Sequence, residues 1–222
     1  MDLAAVLRPM HPGKLVGAIS RLNQQLFDQY ITFPKPIFAA VNGPSIGAAV
    51  TSATLTDGIL CNSRATFTTP FAALGLVPEG CSSLLFPRLF GPELSHKMLV
   101  EGHKLTAGEA LRSGMAARVV ESRVPEPWLP PGPDEALLEA AHEHAEAYVA
   151  KHGRVRSRSP AQTQELLDVN KRESKALAEA FTSVAFLKAM ETQAQRKGRA
   201  AQAAAFAALR STRPLWARLL PN

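Results

Sequence analysis

The sequence predicts an α/β fold, because short apolar segments of strand length alternate with segments of helical periodicity. The segment 13–30 has apolar side chains at helical spacing, and these are Leu15, Ile19, Leu22, Leu26 and Phe27. The segment 36–41 is a short apolar run between a proline and Asn42-Gly43, which is typical of a buried strand. A proline-rich segment then separates this α/β part from a C-terminal part with mostly helical periodicity.

The remaining elements follow in chain order. The small-residue segment 47–57, GAAVTSATLTD, indicates a closely packed helix, and strand-like runs follow at 58–61 and 65–68. Three short helices are predicted, each with a glycine near its C-terminal end, at 82–90, 93–100 and 107–113. Residues 116–120 then indicate another buried strand.

Three regions are predicted from composition: a core at 1–124, a connector at 125–133 and a helical region at 134–222. The connector, PEPWLPPGP, contains five prolines, which favours a stiff linker over a helix or strand. Asp134 has the character of an N-cap residue for a helix that continues to about residue 152.

Composition and charge exclude several functions. The net charge is +6, but residues 1–150 carry 11 Lys and Arg against 14 Asp and Glu, whereas residues 151–222 carry 14 against 5. The basic residues are scattered through Ala-rich helix without interleaved aromatics, so nucleic-acid binding is not expected. No apolar run reaches the roughly 20 residues that span a bilayer. Cys61 and Cys81 have no metal-ligand or disulfide spacing, and no metal site is predicted.

The segment KPIFAAVNGPSIGAAV could form a binding site through its backbone. A buried strand ends at Asn42-Gly43, and residues 44–47 are expected to turn the chain into a helix. Small residues at 47–49 allow close approach of a ligand to the backbone, and the free N–H groups of a first helical turn favour a developing negative charge. The alternative is a tight turn in which the glycines serve packing only, and spacing alone favours this alternative.

The same segment resembles the second signature block of the crotonase (enoyl-CoA hydratase/isomerase) superfamily. RATFTTPFAALGLVPEGCSS resembles the next block, in the form found in peroxisomal Δ3,Δ2-enoyl-CoA isomerases, and LVEGHKLTAGEALRSGMAARVVE resembles the block after that. The resemblance covers about 90 residues without large gaps. It implies a crotonase-like ββα spiral core, N-terminally truncated, with a C-terminal helical region.

The resemblance also implies a site. It assigns an oxyanion-hole N–H to Ala48 and the acid/base carboxylate to Glu79, within L-G-x-x-P-E-G. The two hydratase carboxylate positions are occupied here by Thr51 and Phe71, neither of which is an acid or base at neutral pH, so hydration is disfavoured. The implied substrate-binding residues are Gly43, Ser45, Ile46, Gly47, Phe71 and Leu76. An apolar surround is expected to raise the pKa of Glu79, and its expected members are Phe71, Leu74, Leu76 and Phe86.

In the superfamily, further strands and an S-G-x-D motif precede this region and supply the second oxyanion donor. Asp2-Leu3 resembles the end of that motif, and Met1 falls on the donor position. The expectation is that the first strands are missing, either because the sequence is an incomplete version of a longer protein or because it is a degenerate member.

The function implied by the resemblance is that of a Δ3,Δ2-enoyl-CoA isomerase of fatty-acid β-oxidation. It implies an acyl-CoA substrate, no cofactor beyond the CoA of the substrate, a homotrimer or hexamer, and a peroxisomal or mitochondrial location, although no targeting signal is visible. Two alternatives remain: an acyl-CoA-binding or scaffold protein of the chromodomain-Y-like type, with weak or no catalysis, and another crotonase reaction such as thioester hydrolysis or decarboxylation.

Overall fold

The computed structural model describes residues 11–122 and 134–216, and it confirms the α/β class. The strands are β1 Phe38–Val41, β2 Pro44–Ile46, β3 Gly58–Asn62, β4 Thr66–Thr68, β5 Leu105–Thr106 and β6 Arg118–Val120. The helices are α1 Pro12–Thr32, α2 Ala48–Ala53, α3 Ser82–Leu99, α4 Ala107–Arg112, α5 Glu135–His152, α6 Pro160–Phe181, α7 Val184–Arg196 and α8 Ala200–Thr212. Two 3-10 helices lie at Ala72–Leu74 and Arg213–Leu215.

The strands form two small sheets. The first is parallel, with the order β1-β3-β6 and Phe38 paired with Gly58. In the second, of order β2-β4-β5, β2 runs parallel to β4 and β4 antiparallel to β5. The largest apolar cluster includes Phe67 of β4 and Phe86 and Met98 of α3, all fully buried. This cluster holds the strands and α3 in one core.

Helix α1 forms where it was predicted, but its buried face differs from the prediction. Leu22 is 66% exposed and Leu26 is also exposed, although both belong to the predicted apolar stripe. The buried stripe follows an i, i+4 spacing instead, and its members are Leu15, Ile19, Asn23, Phe27 and Ile31. A polar residue therefore lies in the middle of the buried face, against α6.

The segment 44–47 is not simply a turn, as the sequence had suggested. Pro44–Ile46 forms β2 and pairs with β4, so that Ser45 lies opposite Phe67. Gly47 then starts α2 with φ 60° and ψ −123°. The short connection after β1 was interpreted as a turn because it contains Asn-Gly-Pro, but its residues find hydrogen-bond partners in a second sheet.

The two helices predicted at 82–90 and 93–100 are present as one broken helix. Gly91 interrupts α3 with φ 76° and ψ 168°, next to Pro92. The predicted strands at 58–61, 65–68 and 116–120 and the predicted helix at 107–113 also form, with ends shifted by one or two residues.

The C-terminal helices pack directly on this core. The Asp134 side chain accepts from the Leu137 N–H and thus caps α5, as predicted. Helix α6 packs along α1, and α7 packs against α8. The predicted connector at 125–133 and the predicted motif remnant at residues 1–3 lie outside the described residues, so the three-region division stays a prediction. None of the helices within residues 11–122 and 134–216 is long and apolar enough to cross a bilayer.

A buried arginine joins the segment before α6 to the core. Arg156 forms an ion pair with Asp57 at 2.9 Å, and its side chain is 3% exposed. Its guanidinium also donates to the carbonyl oxygens of Tyr30 and Leu55. The Arg158 guanidinium donates to Leu55 O as well, at 2.7 Å. These bonds satisfy carbonyl groups at the end of α1 and just after α2, which have no partner within their own helices.

Candidate active site

Glu79 lies in the loop between the 3-10 helix Ala72–Leu74 and α3, and its side chain is directed into the protein. The residue is only 8% exposed. Asn23, from the buried face of α1, donates from Nδ2 to Glu79 Oε2 at 2.6 Å. A carboxyl group in this position has one hydrogen-bond donor and little contact with water.

The pKa of Glu79 is raised above its ordinary value. Burial is the largest cause, because it penalises the charged form; the Asn23 hydrogen bond opposes it, and the negative charge of Glu173 adds to it. The expected apolar surround is divided between two clusters, since Leu74 and Leu76 pack against residues of α1, α6 and α7, whereas Phe86 belongs to the main core. A buried carboxylate with a raised pKa is a stronger base than one in water.

The backbone that carries Glu79 is tightly constrained. Gly80 and Cys81 both have positive φ, 62° and 63°. A Cβ on Gly80 would lie 2.6 Å from Phe27 Cε1 and 2.9 Å from Thr51 Oγ1, so only glycine fits. The Ser82 N–H and Oγ both donate to the Glu79 carbonyl, at 3.1 and 2.7 Å. The turn is therefore closed around the residue that bears the carboxyl group.

Glu173 of α6 caps the start of α3. Its Oε2 accepts from the Cys81 N–H at 2.6 Å, and its Oε1 accepts from the Ser83 N–H at 2.9 Å and from Ser83 Oγ at 2.5 Å. Glu173 is 7% exposed, and its pKa is raised by burial even though these three donors favour the charged form. It is a second buried carboxylate beside the turn, with both oxygens engaged.

Asn23 is itself held by α6. Ser174 Oγ lies 2.8 Å from Asn23 Oδ1 and 3.2 Å from Asn170 Oδ1. Asn170 donates from Nδ2 to Gln24 O and to Asp28 Oδ1, both at 2.9 Å. Because Ser174 donates to the oxygen of Asn23, the nitrogen of the Asn23 amide faces Glu79. A polar seam between α1 and α6 thus orients the donor to the carboxylate.

Ala48 is the first residue of α2, as the predicted oxyanion donor requires. The Gly47 N–H donates to Thr68 O at 2.8 Å, and the N–H groups of Val50 and Thr51 donate to Gly47 O. No residue within 11–122 or 134–216 accepts from the Ala48 N–H. Gly80 approaches Thr51 of the same helix, so the backbone after Glu79 lies against α2.

The positions that carry carboxylates in hydratases are neutral and buried here. Thr51 is fully buried, with Oγ1 3.3 Å from Ala48 O, and Phe71 is 4% exposed. No group of His, Cys, Asp and Glu in the described part of the chain could hold a metal ion. Among the predicted acid and base positions, Glu79 therefore has the only carboxyl group.

The other predicted substrate-binding residues differ in exposure. Gly43 and Ser45 are buried, Gly47 and Leu76 are half-buried, and Ile46 is 61% exposed. Ile46 lines an open groove of about 710 Å³ together with residues 72–75 and one face of α7. Lys188 and Arg196 of α7 also line this groove. Glu79 and Ala48 are not among its lining residues.

Sequence reasoning missed Asn23, Ser174 and Glu173. Asn23 interrupts an apolar stripe at helical spacing, and a polar residue on a buried helix face requires a partner. That interruption was the available signal. Nothing in the sequence paired it with Glu79, 56 residues away, or paired Glu173 with Cys81, 92 residues away.

Comparison with known proteins gives consistent results at the level of family and fold. The family model described as "Enoyl-CoA hydratase/isomerase" matches residues 2–129. The chain is 42% identical to "Enoyl-CoA delta isomerase 3, peroxisomal" of Mus musculus over 105 residues, which are 47% of this chain and 33% of that protein. It is 50% identical to "Enoyl-CoA delta isomerase 2" of Homo sapiens over 90 residues, 40% of this chain and 23% of that protein. The alignments thus span a third or less of these relatives.

A solved enoyl-CoA hydratase/isomerase from Pseudoalteromonas atlantica T6c superposes with a TM-score of 0.63 at 28% identity. The superposition covers 79% of this chain and 67% of that chain. The predicted fold class is confirmed by this similarity, which extends into the C-terminal helices.

Proposed function

Since the chain belongs to the enoyl-CoA hydratase/isomerase family, we propose that it is a Δ3,Δ2-enoyl-CoA isomerase with Glu79 as its acid/base. The observation that carries the proposal is the state of Glu79: it is buried, has a raised pKa and accepts a hydrogen bond from Asn23, whereas Thr51 and Phe71 occupy the positions of a hydratase pair. The 50% identity to a protein named enoyl-CoA delta isomerase supports the same assignment.

One carboxyl group is chemically sufficient for this reaction. The thioester acidifies the C2 protons of a 3-enoyl-CoA, and the Glu79 carboxylate removes one of them. The electron pair moves into a dienolate whose negative charge lies on the thioester oxygen, where the Ala48 N–H donates to it. The protonated Glu79 then returns the proton at C4, and the double bond ends between C2 and C3. No cofactor is needed beyond the CoA of the substrate.

Asn23 supports both halves of this cycle. Its Nδ2 donates to Oε2 only, so Oε1 of Glu79 is the oxygen that takes up and returns the proton. The hydrogen bond also holds the carboxyl plane in place, since Asn23 is fixed by Ser174. Proton transfer at two carbons requires a base that reaches both without losing its alignment.

The groove beside Ile46 is suited to an acyl-CoA. Its lining is apolar at Ile46, Leu74 and Ala185, and Lys188 and Arg196 supply positive charge for phosphate groups. Lys171, Arg172 and Lys197 are further basic residues of the same C-terminal part, and we include them among the candidates for binding the CoA phosphates. Of the other predicted contacts, Gly43, Ser45 and Gly47 precede α2 in the chain, and Phe71 and Leu76 lie on either side of the 3-10 helix Ala72–Leu74.

The proposal also covers the cellular location and the oligomeric state of the protein. The name of one relative contains the word peroxisomal, which supports a peroxisomal location over a mitochondrial one. A homotrimer or hexamer is also part of the proposal, and sedimentation velocity of the purified protein tests it by measuring the mass of the oligomer.

The direct test is turnover of 3-cis- and 3-trans-enoyl-CoA by the wild type, by Glu79→Gln and by Glu101→Gln. Glu101 is exposed just after α3, so it is a matched control for the same chemical change. Loss of the base is expected to reduce kcat by about 10²–10⁴-fold, and Glu101→Gln is expected to leave it unchanged. Equal activity of wild type and Glu79→Gln contradicts the proposal.

Calorimetric titration with an acyl-CoA distinguishes an isomerase from the two alternative functions. Binding without turnover in the wild type favours an acyl-CoA-binding or scaffold role. Hydrolysis or decarboxylation products in the same assay favour another reaction of the family.

A further inference from the structure

We propose that Glu173 is a positioning residue for Glu79, which holds the turn that bears the base and keeps a second negative charge beside it. This inference rests on the proposed function, because it assigns to α6 a part in the action of the same base. The two carboxylates would work as an unequal pair: one is permanently engaged by donors, and the other is left to exchange a proton.

The geometry of the turn carries the first half of the inference. Glu173 accepts from the Cys81 N–H, the Ser83 N–H and Ser83 Oγ, at 2.6, 2.9 and 2.5 Å. These donors belong to the residues that directly follow Gly80, and the Ser82 N–H and Oγ return to the Glu79 carbonyl. The turn is thus fixed from within by Ser82 and from outside by Glu173.

The backbone of the turn requires such support. Gly80 and Cys81 both have positive φ, and Cys81 is not a glycine. A non-glycine residue in this conformation costs about 1–2 kcal/mol, so it persists only where surrounding contacts hold it. Glu173 binds the N–H of that residue. Without Glu173, the N–H of the fully buried Cys81, at the start of α3, would lose the acceptor that the structure shows for it.

The charges around the pair carry the second half. Among the described residues, Glu173 accepts from three donors, whereas Glu79 accepts from Asn23 alone, so the negative charge is better stabilised on Glu173. The positive charge of Arg172 on α6 favours the charged form of Glu173 as well. The charge of Glu173 raises the pKa of Glu79 and strengthens it as a base.

The substitution that tests this is Glu173→Gln, with Glu165→Gln as the control on the same helix. Glu165 is exposed and pairs with Arg88, so its change removes a charge from α6 without affecting the turn. Glu173→Gln is expected to lower kcat by about tenfold with KM changed less than about twofold, because the base is misaligned while the groove is intact. It is also expected to move the acid limb of the kcat/KM profile down by about 0.5–1 pH unit. Glu165→Gln is expected to change neither.

A second measurement does not depend on activity. Unfolding is followed from pH 5 to pH 8 in the wild type, Glu79→Gln, Glu173→Gln and the double variant. Glu79→Gln is expected to gain stability relative to its parent as pH rises, and this gain is expected to be smaller when residue 173 is already Gln, because the charge of Glu173 no longer raises the pKa of Glu79. An equal gain in both backgrounds overturns the inference, whether or not the protein is an isomerase.

Two outcomes separate this inference from the proposed function. If the wild type turns over no 3-enoyl-CoA but the two substitutions are coupled in stability, the proposed function fails and the carboxylate pair stands. If Glu173→Gln does not fold, Ser83→Ala removes one donor to Glu173 and so makes the charged form of Glu173 less favourable. It is expected to shift the pH dependence in the same direction by a smaller amount, and no shift in that variant contradicts the inference.

Discussion

The clearest prediction concerns Gly80, whose position next to Glu79 couples the packing of the core to the placement of the base. In Gly80→Ala, the new Cβ would lie 2.6 Å from Phe27 Cε1, 2.8 Å from Phe27 Cζ and 2.9 Å from Thr51 Oγ1. Phe27 and Thr51 are fully buried, so neither side chain can move aside without disturbing the core. The backbone also has φ +62°, which an alanine adopts only with strain.

The magnitude follows from these two costs. Positive φ costs an alanine about 1–2 kcal/mol, and overpacking a closed core costs about 1–3 kcal/mol more. Gly102→Ala is the matched control, because Gly102 has φ +71° and no atom within 4 Å of its ideal Cβ position. Gly102→Ala therefore has the cost of positive φ but not the cost of overpacking. The two variants are therefore expected to differ by about 1–3 kcal/mol in the free energy of unfolding.

Urea denaturation followed by circular dichroism measures this difference, which corresponds to about 2–12 °C in the thermal unfolding midpoint of a chain of this length. Gly80→Ala is also expected to lose isomerase activity beyond its loss of stability, whereas Gly102→Ala keeps it. Equal destabilisation of the two variants would refute the steric argument. Full activity in Gly80→Ala would refute the link between this turn and the base.

Three further predictions follow from burial and charge. The pKa of Glu79 is raised in the folded state, so the contribution of Glu79 to stability is complete below its unfolded pKa and is lost as pH rises through its folded pKa. In urea denaturation, Glu79→Gln should therefore be more stable than the wild type at pH 8 and equally stable near pH 4. Arg156→Met, which removes the cation beside the partly buried Asp57 and the donor to two backbone carbonyls, should cost about 3 kcal/mol, whereas Arg88→Gln on the surface should have no measurable effect by the same assay. Burial raises the pKa of Cys61 to about 11 and of Cys81 to about 12, so both thiols should react with a disulfide reagent at pH 8 only after denaturant is added.

Local signals in the sequence predicted most of the elements. Asp134 was recognised as an N-cap because a short acceptor side chain precedes a helical pattern, and its carboxylate accepts the Leu137 N–H. The break in α3 was recognised because Gly91 has the character of a residue at the C-terminal end of a helix, and Gly91 has non-helical dihedral angles in the structure. Signals of this kind act over a few residues, which is the range that a single sequence reveals directly.

The errors arose where a distant partner decides the outcome. Leu22 and Leu26 have the spacing of a buried face, but α6 packs on the adjacent stripe, where Asn23 finds Ser174 and Glu79. Residues 44–46 have turn chemistry, yet β4 offers them a strand partner. Glu79 was located by family resemblance, but its donor and its neighbouring charge come from helices that the motif does not contain.

The long separations within the site also bear on how the protein matures. Glu173 and Ser174 lie 94 and 95 residues beyond Glu79, so a ribosome adding 5–20 residues per second produces them roughly 5–20 s after the base itself. Until α6 emerges, the Cys81 N–H lacks its acceptor, Glu173, and the Asn23 amide oxygen lacks its donor, Ser174. Water can take the place of both partners at that stage. Under the proposed function, the surroundings that make Glu79 a strong base are complete only after α6 has been synthesised and has docked on α1. Catalytic competence would then be a late folding event.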